Sequence, residues 1–361
     1  MKLSSIASSV LWASALAAIW LNGSLPLSGA GIEFKGANGP GKGKRVVLVA
    51  ADDEYHSEEA LPQLAKILAM RHRFTCTVLF AINPHNGTID PHERHNIPGL
   101  EVLQNADLLI LFMRFRDLPD NQTKYFADYV ESGRPITGIR TATHASDIKP
   151  GSTYARYSFD SKIEGWEGGF GRRVLGETWM AHHGDHGKQG TRGIIVKGEE
   201  SNPILRGIGD GAIWTPTDVY EVRLPLPGTS QPLVLGEVLT NMNPNDPPVP
   251  GKMNDPMIPV AWTCGYTGSQ GKTSRVFTST MGSADDLENE ALRRLLVNTT
   301  YWAVRLENQI PPRADVDLVG EYHPHPFSSE EHMKGVKVSD LVKWKTVLGK
   351  ISWRIGLDHY V

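Results

Sequence analysis

Between residues 45 and 139, short apolar runs rich in β-branched residues alternate with helical patterns, and this alternation constrains the fold most. Each run is bounded by turn residues, as in a buried strand of a parallel sheet. Strands are predicted over residues 45–51, 75–81, 107–112 and 135–139. One helix is predicted to begin at Ser57, and another to begin at Pro119 and end at Gly133. This order predicts an α/β protein with a doubly wound, mostly parallel sheet.

The second half of the chain is less regular. The whole chain contains 36 Gly and 24 Pro, which favours long loop insertions. Strands are predicted over 193–196, 218–222, 233–239 and 274–280, with a Pro-rich loop over 243–259 and a long helix from about residue 286. The predicted organisation is a signal peptide over 1–30, a flexible lead-in over 31–44, one α/β domain over 45–308 and a C-terminal extension over 309–361.

The charge balance argues against a nucleic-acid partner. The chain has 37 basic and 40 acidic residues, a formal net charge of −3, and no dense run of Lys or Arg that would neutralise phosphates. The two cysteines, Cys76 and Cys264, are too few for a disulfide framework. A single bridge between them and two free thiols both remain open, and so does the oligomeric state.

The N-terminal segment has the pattern of a secretory signal peptide. Lys2 precedes an apolar stretch over residues 6–21, and Ser28 and Ala30 are the small residues of a cleavage site. We therefore expect a mature chain that begins near Gly31, is periplasmic or extracellular, and has no stable membrane span. The alternative is an uncleaved anchor, for which the apolar stretch is short.

Polar side chains follow three successive predicted strands. Ligands of open parallel sheets bind outside the carboxyl ends of the strands, so this edge is the predicted cleft. The residues placed there include His56 after the first strand, Arg114 and Arg116 after the third, and Arg140, Thr141 and His144 after the fourth.

The turn over residues 138–144 has the small residues of a strand-to-helix elbow, which in hydrolases and amidotransferases exposes a nucleophile. Arg140 occupies the nucleophile position and cannot attack a carbonyl, but its planar guanidinium can hold an oxygen-rich ligand. We therefore predict that Arg140 anchors the ligand. The alternative is a buried Arg140 paired with Asp53 or Glu54.

A histidine-rich segment follows Trp179. His182, His183, Asp185 and His186 could bind a zinc ion, the histidines could line the cleft as sugar-binding or acid–base groups, or the segment could be purely structural. Gly184 and Gly187 argue against a helix here, so the segment is predicted to be a loop.

Together these motifs resemble the ThuA-like (trehalose utilisation) family, in particular its large exported members in planctomycete-type bacteria. The resemblance covers residues 45–305 and rests on VLVAADDEYHSEEALPQLAKIL, ADLLILFMRFRDLP, GIRTATHAS, DVYEV, PVAWTCGY and RVFTSTMGS. It implies a flavodoxin-like fold of the class I glutamine amidotransferase type. The family's His-x-Glu motif falls on His56 and Glu58, its elbow histidine on His144, and its acidic segment on Asp218, Tyr220 and Glu221.

Two departures from the family limit what is carried over. Arg140 replaces the amidotransferase cysteine, so glutamine hydrolysis is not expected, and Ser283 follows Gly282 where the family often has Gly-His. The resemblance implies carbohydrate catabolism on trehalose or oxidised 3-keto disaccharides.

The sequence therefore predicts an exported enzyme that acts on a small carbohydrate by histidine and carboxylate acid–base chemistry. The predicted catalytic residues are His56, His144 and His183. The predicted substrate-binding residues are Glu58, Arg114, Arg116, Arg140, Thr141, Trp179, His182, His186 and Tyr220. No cofactor is certain. The alternatives are a zinc-dependent hydrolase or lyase using His182, His183, Asp185 and His186, and a non-catalytic carbohydrate-binding protein that uses Trp166, Trp179, Trp214 and Trp262.

Overall fold

The computed structural model describes residues 26–27 and 31–343. The predicted signal peptide, apart from Pro26–Leu27, and the last part of the predicted C-terminal extension lie outside the described residues. The strands are β1 Pro26–Leu27, β2 Gly31–Phe34, β3 Arg45–Ala51, β4 Thr75–Phe80, β5 Leu108–Met113, β6 Ile136–Ile139, β7 Ala181–His182, β8 Thr191–Ile195, β9 Ile213–Thr215, β10 Tyr220–Glu221, β11 Gln231–Val238, β12 Ile258–Thr267 and β13 Thr273–Ser279. The α-helices are α1 Ser57–Met70, α2 Asp120–Glu131, α3 Gly169–Val174, α4 Glu290–Ala303 and α5 Val338–Lys343.

Eleven of these strands form one mixed sheet, in the order β1-β2-β4-β3-β5-β6-β13-β12-β11-β8-β9. The five central strands from β4 to β13 run parallel. The strands on either side pair antiparallel. A short ladder of β7 and β10 lies apart from the main sheet. The fold is thus mixed α/β, as the alternating pattern predicts.

The expectation of a mostly parallel sheet is wrong, because antiparallel pairings outnumber parallel ones. The error lies in the second half, where β12 and the strands next to it form an antiparallel wing. No strand was predicted over Ile258–Thr267. The predicted loop over 243–259 ends where this strand begins, and the strand predicted over 218–222 is reduced to Tyr220–Glu221. The predicted lead-in over 31–44 contains β2, which pairs with β4.

Helices cover both faces of the parallel strands. α1 and α4 bury Leu64 and Leu292 in one apolar cluster with Leu48 of β3, whereas α2 buries Phe126 in a second cluster with Val49. Alternate residues of β3 therefore face opposite layers, which explains why this strand is apolar along almost its whole length.

Two further expectations concern the cysteines and the membrane. Cys76 and Cys264 are both free thiols in the structure. Over residues 26–27 and 31–343, no helix has the length and apolarity needed to cross a membrane.

Candidate active site

Three backbone positions at the carboxyl ends of the parallel strands take a left-handed conformation without being glycine. They are His56 after β3, with φ of 52°, Phe115 after β5, with φ of 48°, and Arg140 directly after β6, with φ of 48°. Non-glycine residues rarely adopt this conformation, and such positions cluster at functional sites. Three of the five left-handed non-glycine residues in the described part of the chain therefore lie at the predicted edge of the sheet.

A buried carboxylate, Asp218, lies at the centre of this edge. His182 Nδ1 is 2.9 Å from Asp218 Oδ2, and His186 Nδ1 is 2.9 Å from Oδ1. The guanidinium of Arg140 donates to the same Oδ1 at 2.7 Å. We call Arg140, His182, His186 and Asp218 the Asp218 cluster.

Arg140 is fully buried, and both terminal nitrogens of its guanidinium bind groups of the protein, whereas its Nε has no hydrogen-bond partner among the described residues. One terminal nitrogen donates to the carbonyl oxygens of Asp218 and Thr280, and the other to the Tyr55 hydroxyl as well as to the Asp218 carboxylate. Burial raises the pKa of Asp218, but Arg140 and the hydrogen bonds from His186 and His182 outweigh it and hold the pKa well below its ordinary value. The Asp218 carboxylate is therefore ionised, and the two histidines donate to it.

The predicted role of Arg140 as a direct ligand anchor is corrected by this geometry. Its side chain turns inward to pair with Asp218, and with neither Asp53 nor Glu54. It therefore positions the carboxylate that holds the histidines. The aromatic ring of Tyr55 stacks under it, with the guanidinium carbon 4.3 Å from the ring centre.

His144 lies beside the Asp218 cluster in an aromatic setting. Its ring centre is 5.2 Å from that of Trp179 and 5.0 Å from that of Phe115, and its Nδ1 lies 3.2 Å from the Thr143 hydroxyl. Burial, followed by the nearby Arg114, Arg140 and His182, holds the pKa of His144 well below its ordinary value. The imidazole is therefore neutral at pH 7.

Several predicted ligand residues instead hold the loops of the edge together. Arg116 is buried and donates to the carbonyl oxygens of Ala51 and Glu93. Arg114 pairs with Asp53 and Glu54, at 3.1 and 2.9 Å. These contacts place both arginines in the framework of the site.

Thr141 and Tyr220 also serve this framework. Thr141 donates to the Asp52 carboxylate at 2.6 Å, and the Tyr220 hydroxyl donates to the carbonyl oxygen of Arg140. Both side chains are buried. As strand alternation predicts, Tyr220 points inward while Glu221 is exposed.

The predicted metal-binding set is also corrected. His183 Nε2 donates to the carbonyl oxygen of Met253 at 2.7 Å, and Asp185 is exposed beside Lys188. Neither residue lies with His182 and His186 in a possible metal-binding group. The third residue of that group is Asp218. The prediction of His183 as a catalytic residue therefore has no support in this geometry.

His56 and Glu58 belong to a second group, with Glu59, at the start of α1. We call these three residues the Glu58 cluster. His56 Nδ1 is 3.5 Å from Glu58 Oε1, and its Nε2 donates to the carbonyl oxygen of Pro326 at 2.9 Å. The segment that contains His325, Pro326 and Phe327, which we call the C-terminal segment, thus reaches this edge of the sheet.

The same segment covers the Asp218 cluster. The ring of Phe327 packs edge-on against His186, with centres 4.0 Å apart, and lies 5.2 Å from the ring of Tyr55. Sequence reasoning did not predict Phe327 at the site. It noted Asp218 only as part of a motif, although the acidic residue of DVYEV was the signal that could have found it.

No protein-family model and no curated protein matches the chain. Solved structures similar to it include two described as ThuA-like proteins. One, from Parabacteroides merdae, is 14% identical with a TM-score of 0.44, and the match covers 73% of this chain and 90% of that one. The other, from Bacteroides uniformis, is 15% identical with a TM-score of 0.42, and covers 75% and 95%.

The ThuA-like resemblance stated from the motifs thus recurs among solved structures. The cold-adapted β-galactosidase of Rahnella sp. R3 is also similar, at 13% identity and a TM-score of 0.40, over 74% of this chain but only 32% of the galactosidase. At these identities and scores, the likeness assigns neither residue roles nor an activity to the chain.

Proposed function

We propose that this protein is a carbohydrate-directed enzyme in which His182 and His186, oriented by Asp218, transfer protons. The observation that carries the proposal is the pair of Nδ1–Asp218 contacts. A histidine that donates from Nδ1 to a carboxylate keeps Nε2 free to accept a proton, and the carboxylate stabilises the imidazolium that forms. The side chain of His182 is 49% exposed, whereas that of His186 is 22% exposed and its Nε2 is buried, so His182 is the more accessible base.

His144 supplies a second acid–base group in the proposal. Its neutral imidazole can accept a proton at pH 7, and the half-buried ring of Trp179 connects it to His182. An indole face beside two imidazoles suits a sugar ring, which has apolar C–H faces and polar edges. The carbohydrate class itself rests on the resemblance to the ThuA-like family.

The site location also fits the parallel strands. We propose that β4, β3, β5, β6 and β13 are a flavodoxin-like core, because they follow one another in the order second, first, third, fourth and fifth along the chain. In such sheets, ligands bind where the strand order reverses, next to the first strand. The loops after β3 and β5 contribute Tyr55 and Phe115 near that point.

The test is turnover of a panel of disaccharides and their 3-keto derivatives by the purified protein. His182→Asn and His186→Asn should each lower turnover by about 10²–10⁴-fold if they act as general acid or base. His183→Gln is the matched control in the same loop and should retain activity, because His183 contacts a backbone carbonyl. Equal activity in all three variants would contradict the proposal.

A metal-dependent reaction is the second candidate, because ligand atoms of His182, His186 and Asp218 lie within 4.8 Å of one another. Such a metal would be bound by the three residues and would polarise a substrate oxygen or activate water. Arg140 argues against it, because its guanidinium already occupies Asp218 Oδ1. Turnover that persists after chelation would eliminate this candidate.

The binding-only alternative has less support. Trp262 is buried and donates to the Leu175 carbonyl oxygen, and Trp166 packs among Tyr157, Tyr266 and Arg156. Of the four candidate tryptophans, Trp179 is the one that contacts the histidines. Sugar binding without any turnover across the panel would nevertheless favour this alternative.

We further propose that the protein is exported and cleaved near Gly31. Cleavage there would remove β1, which pairs with β2 through Pro26–Ile32 and Leu27–Gly31. N-terminal sequencing of the protein recovered from the periplasm or medium tests this, and an intact Met1 in a membrane fraction would contradict it.

A further inference from the structure

Glu58 is a buried carboxylate whose ionic partner is a single histidine, His56, at 3.5 Å. The residue is 1% exposed, and neither carboxylate oxygen accepts a hydrogen bond from any residue that the structure describes. It lies in the first turn of α1, two residues after the left-handed His56. Buried carboxylates are ordinarily hydrogen-bonded, paired with a cation or bound to a metal.

The neighbouring side chains are placed as ligands of one ion. His56 Nδ1 is 3.5 Å from Glu58 Oε1, which is long for a hydrogen bond. It matches the separation of about 3.3–3.5 Å that two ligands of a tetrahedral zinc ion have when each bond is about 2.1 Å long. One ligand atom each from His56, Glu58 and Glu59 lie within 4.8 Å of one another.

The outer contacts of this group are those that metal sites use. His56 donates its Nε2 hydrogen to the Pro326 carbonyl oxygen, so the neutral imidazole that a metal requires has its lone pair on Nδ1, the atom that faces Glu58. The Glu59 carboxylate is held by His325. The backbone N–H of His325 donates to Glu59 Oε2 at 2.9 Å, and the ring Nδ1 of His325 lies 2.6 Å from Glu59 Oε1. Both ligands are therefore oriented by the C-terminal segment.

The charge of the group also favours a cation. Among the described residues, no Lys or Arg forms an ion pair with Glu58 or Glu59; their ionic partners are His56 and His325. The Asp218 cluster, by contrast, contains Arg140. Two carboxylates and one imidazole are a nitrogen–oxygen ligand set that zinc accepts, with a fourth position for water.

We propose that His56, Glu58 and Glu59 bind one divalent cation of the zinc type, which fastens the C-terminal segment over the Asp218 cluster. The fastening follows from connectivity, because His56 holds Pro326, Glu59 holds His325, and Phe327 packs on His186. The site is distinct from the residues to which we assign proton transfer.

The experiment uses the full chain, stripped with a chelator and titrated with ZnCl₂ alone, with MgCl₂ as a second arm. We expect one zinc per chain after gel filtration, and a melting temperature raised by about 5–10 °C at a zinc concentration of a hundred times Kd. Magnesium should bind far more weakly because one ligand is an imidazole. Absence of zinc uptake would show a His56–Glu58 ion pair only and would overturn the proposal.

Variants locate the ion. Glu58→Gln keeps the shape of the side chain and should weaken zinc binding by at least about tenfold to a hundredfold. Glu59→Gln is the second variant, in case the first does not fold, and should have the same effect. His182→Asn should leave zinc affinity unchanged. Zinc binding that His182→Asn abolishes, or that both glutamine variants retain, would place the ion elsewhere and overturn the proposal.

Discussion

The Asp218 cluster and the Glu58 cluster each combine histidine with a buried carboxylate. They are neighbours, because Tyr55 contacts Arg140 of the first cluster and the next residue, His56, belongs to the second. They differ in what balances the buried negative charge. Asp218 has a buried guanidinium at 2.7 Å and two histidines, whereas Glu58 has a single histidine 3.5 Å away. Similar residue types thus occur in two different electrostatic settings.

The difference separates two kinds of chemistry. A carboxylate that is already neutralised by an arginine can orient histidines and stabilise their protonated form, because it needs no external cation. A carboxylate that lacks such a partner is costly to bury and gains most from binding one. Residue types alone therefore do not distinguish a proton-transfer site from a metal site, but their charge balance does.

The largest effect is expected from Asp218→Asn. The variant leaves Arg140 buried without its counter-charge, and breaking one partner of a buried ion pair costs about 3–5 kcal/mol. Urea denaturation at pH 7 measures this loss. Asp185→Asn, at an exposed position in the segment that contains His186, is the control and should lie within about 0.5 kcal/mol of wild type. A loss below 1 kcal/mol would mean that Arg140 does not depend on Asp218, and the contrast between the clusters would fail.

A smaller, pH-dependent effect is expected from His144. Its pKa is lowered in the folded protein by burial and then by Arg114, Arg140 and His182, whereas in the unfolded chain it is near 6.5. Below pH 6.5 the unfolded state therefore binds more protons, and the free energy of unfolding falls as the pH falls. This one group should remove about 1 kcal/mol between pH 6.5 and 5.5.

The measurement compares wild type with His144→Gln over that range. The variant should lose about 1 kcal/mol less than wild type, and the exposed His85→Gln should follow wild type. Parallel curves for wild type and His144→Gln would show that His144 titrates alike in both states, and would remove it from the neutral acid–base role.

The parallel half of the fold was predictable from sequence, and the antiparallel wing was not. β3 is apolar on both faces, so its pattern is continuous and marks a buried strand, and the strand bounds were predicted to the residue. β12 contains Pro259 and follows a Pro-rich loop, two features that argue against a strand when read locally. Pairing with β11 and β13 overrides that local signal.

For the candidate site, the sequence predicted that these polar residues share one edge of the sheet, but it did not predict their contacts. Arg140 was expected to face a ligand, since side chains at an elbow commonly point into the cleft. Its actual direction is set by Asp218, which lies 78 residues away. Phe327 has no local signal, because its contacts with Tyr55 and His186 depend on the path of the C-terminal segment.

Phe327 links the two clusters, and its truncation tests whether they are coupled. Phe327→Leu removes the aromatic contacts with His186 and Tyr55, which should cost about 0.5–1.5 kcal/mol. Hydrogen exchange should show faster exchange at residues 322–328 than in wild type. Ile163→Ala, at an exposed apolar position, is the control. Unchanged exchange would mean that the segment is held without Phe327.

The smallest effect is expected from Glu58→Gln in metal-free protein. Burial lowers the pKa of His56, but Glu58 and Glu59 outweigh it and raise the pKa to about 9. A raised histidine pKa adds stability that is fully present below about pH 6.5 and is lost as the pH rises through 9. At pH 7 the variant loses part of that stability and is relieved of a buried charge without hydrogen bonds, so the two changes oppose each other.

We therefore expect Glu58→Gln to lie within about 0.5 kcal/mol of wild type in urea denaturation at pH 7 with chelator present. Adding zinc should widen the gap, because a cation that binds the folded state stabilises only the chain that retains its ligand. A loss above 2 kcal/mol without metal would show that His56 neutralises Glu58 as fully as Arg140 neutralises Asp218. The two clusters would then be electrostatically alike, and the reason to assign them different chemistry would be gone.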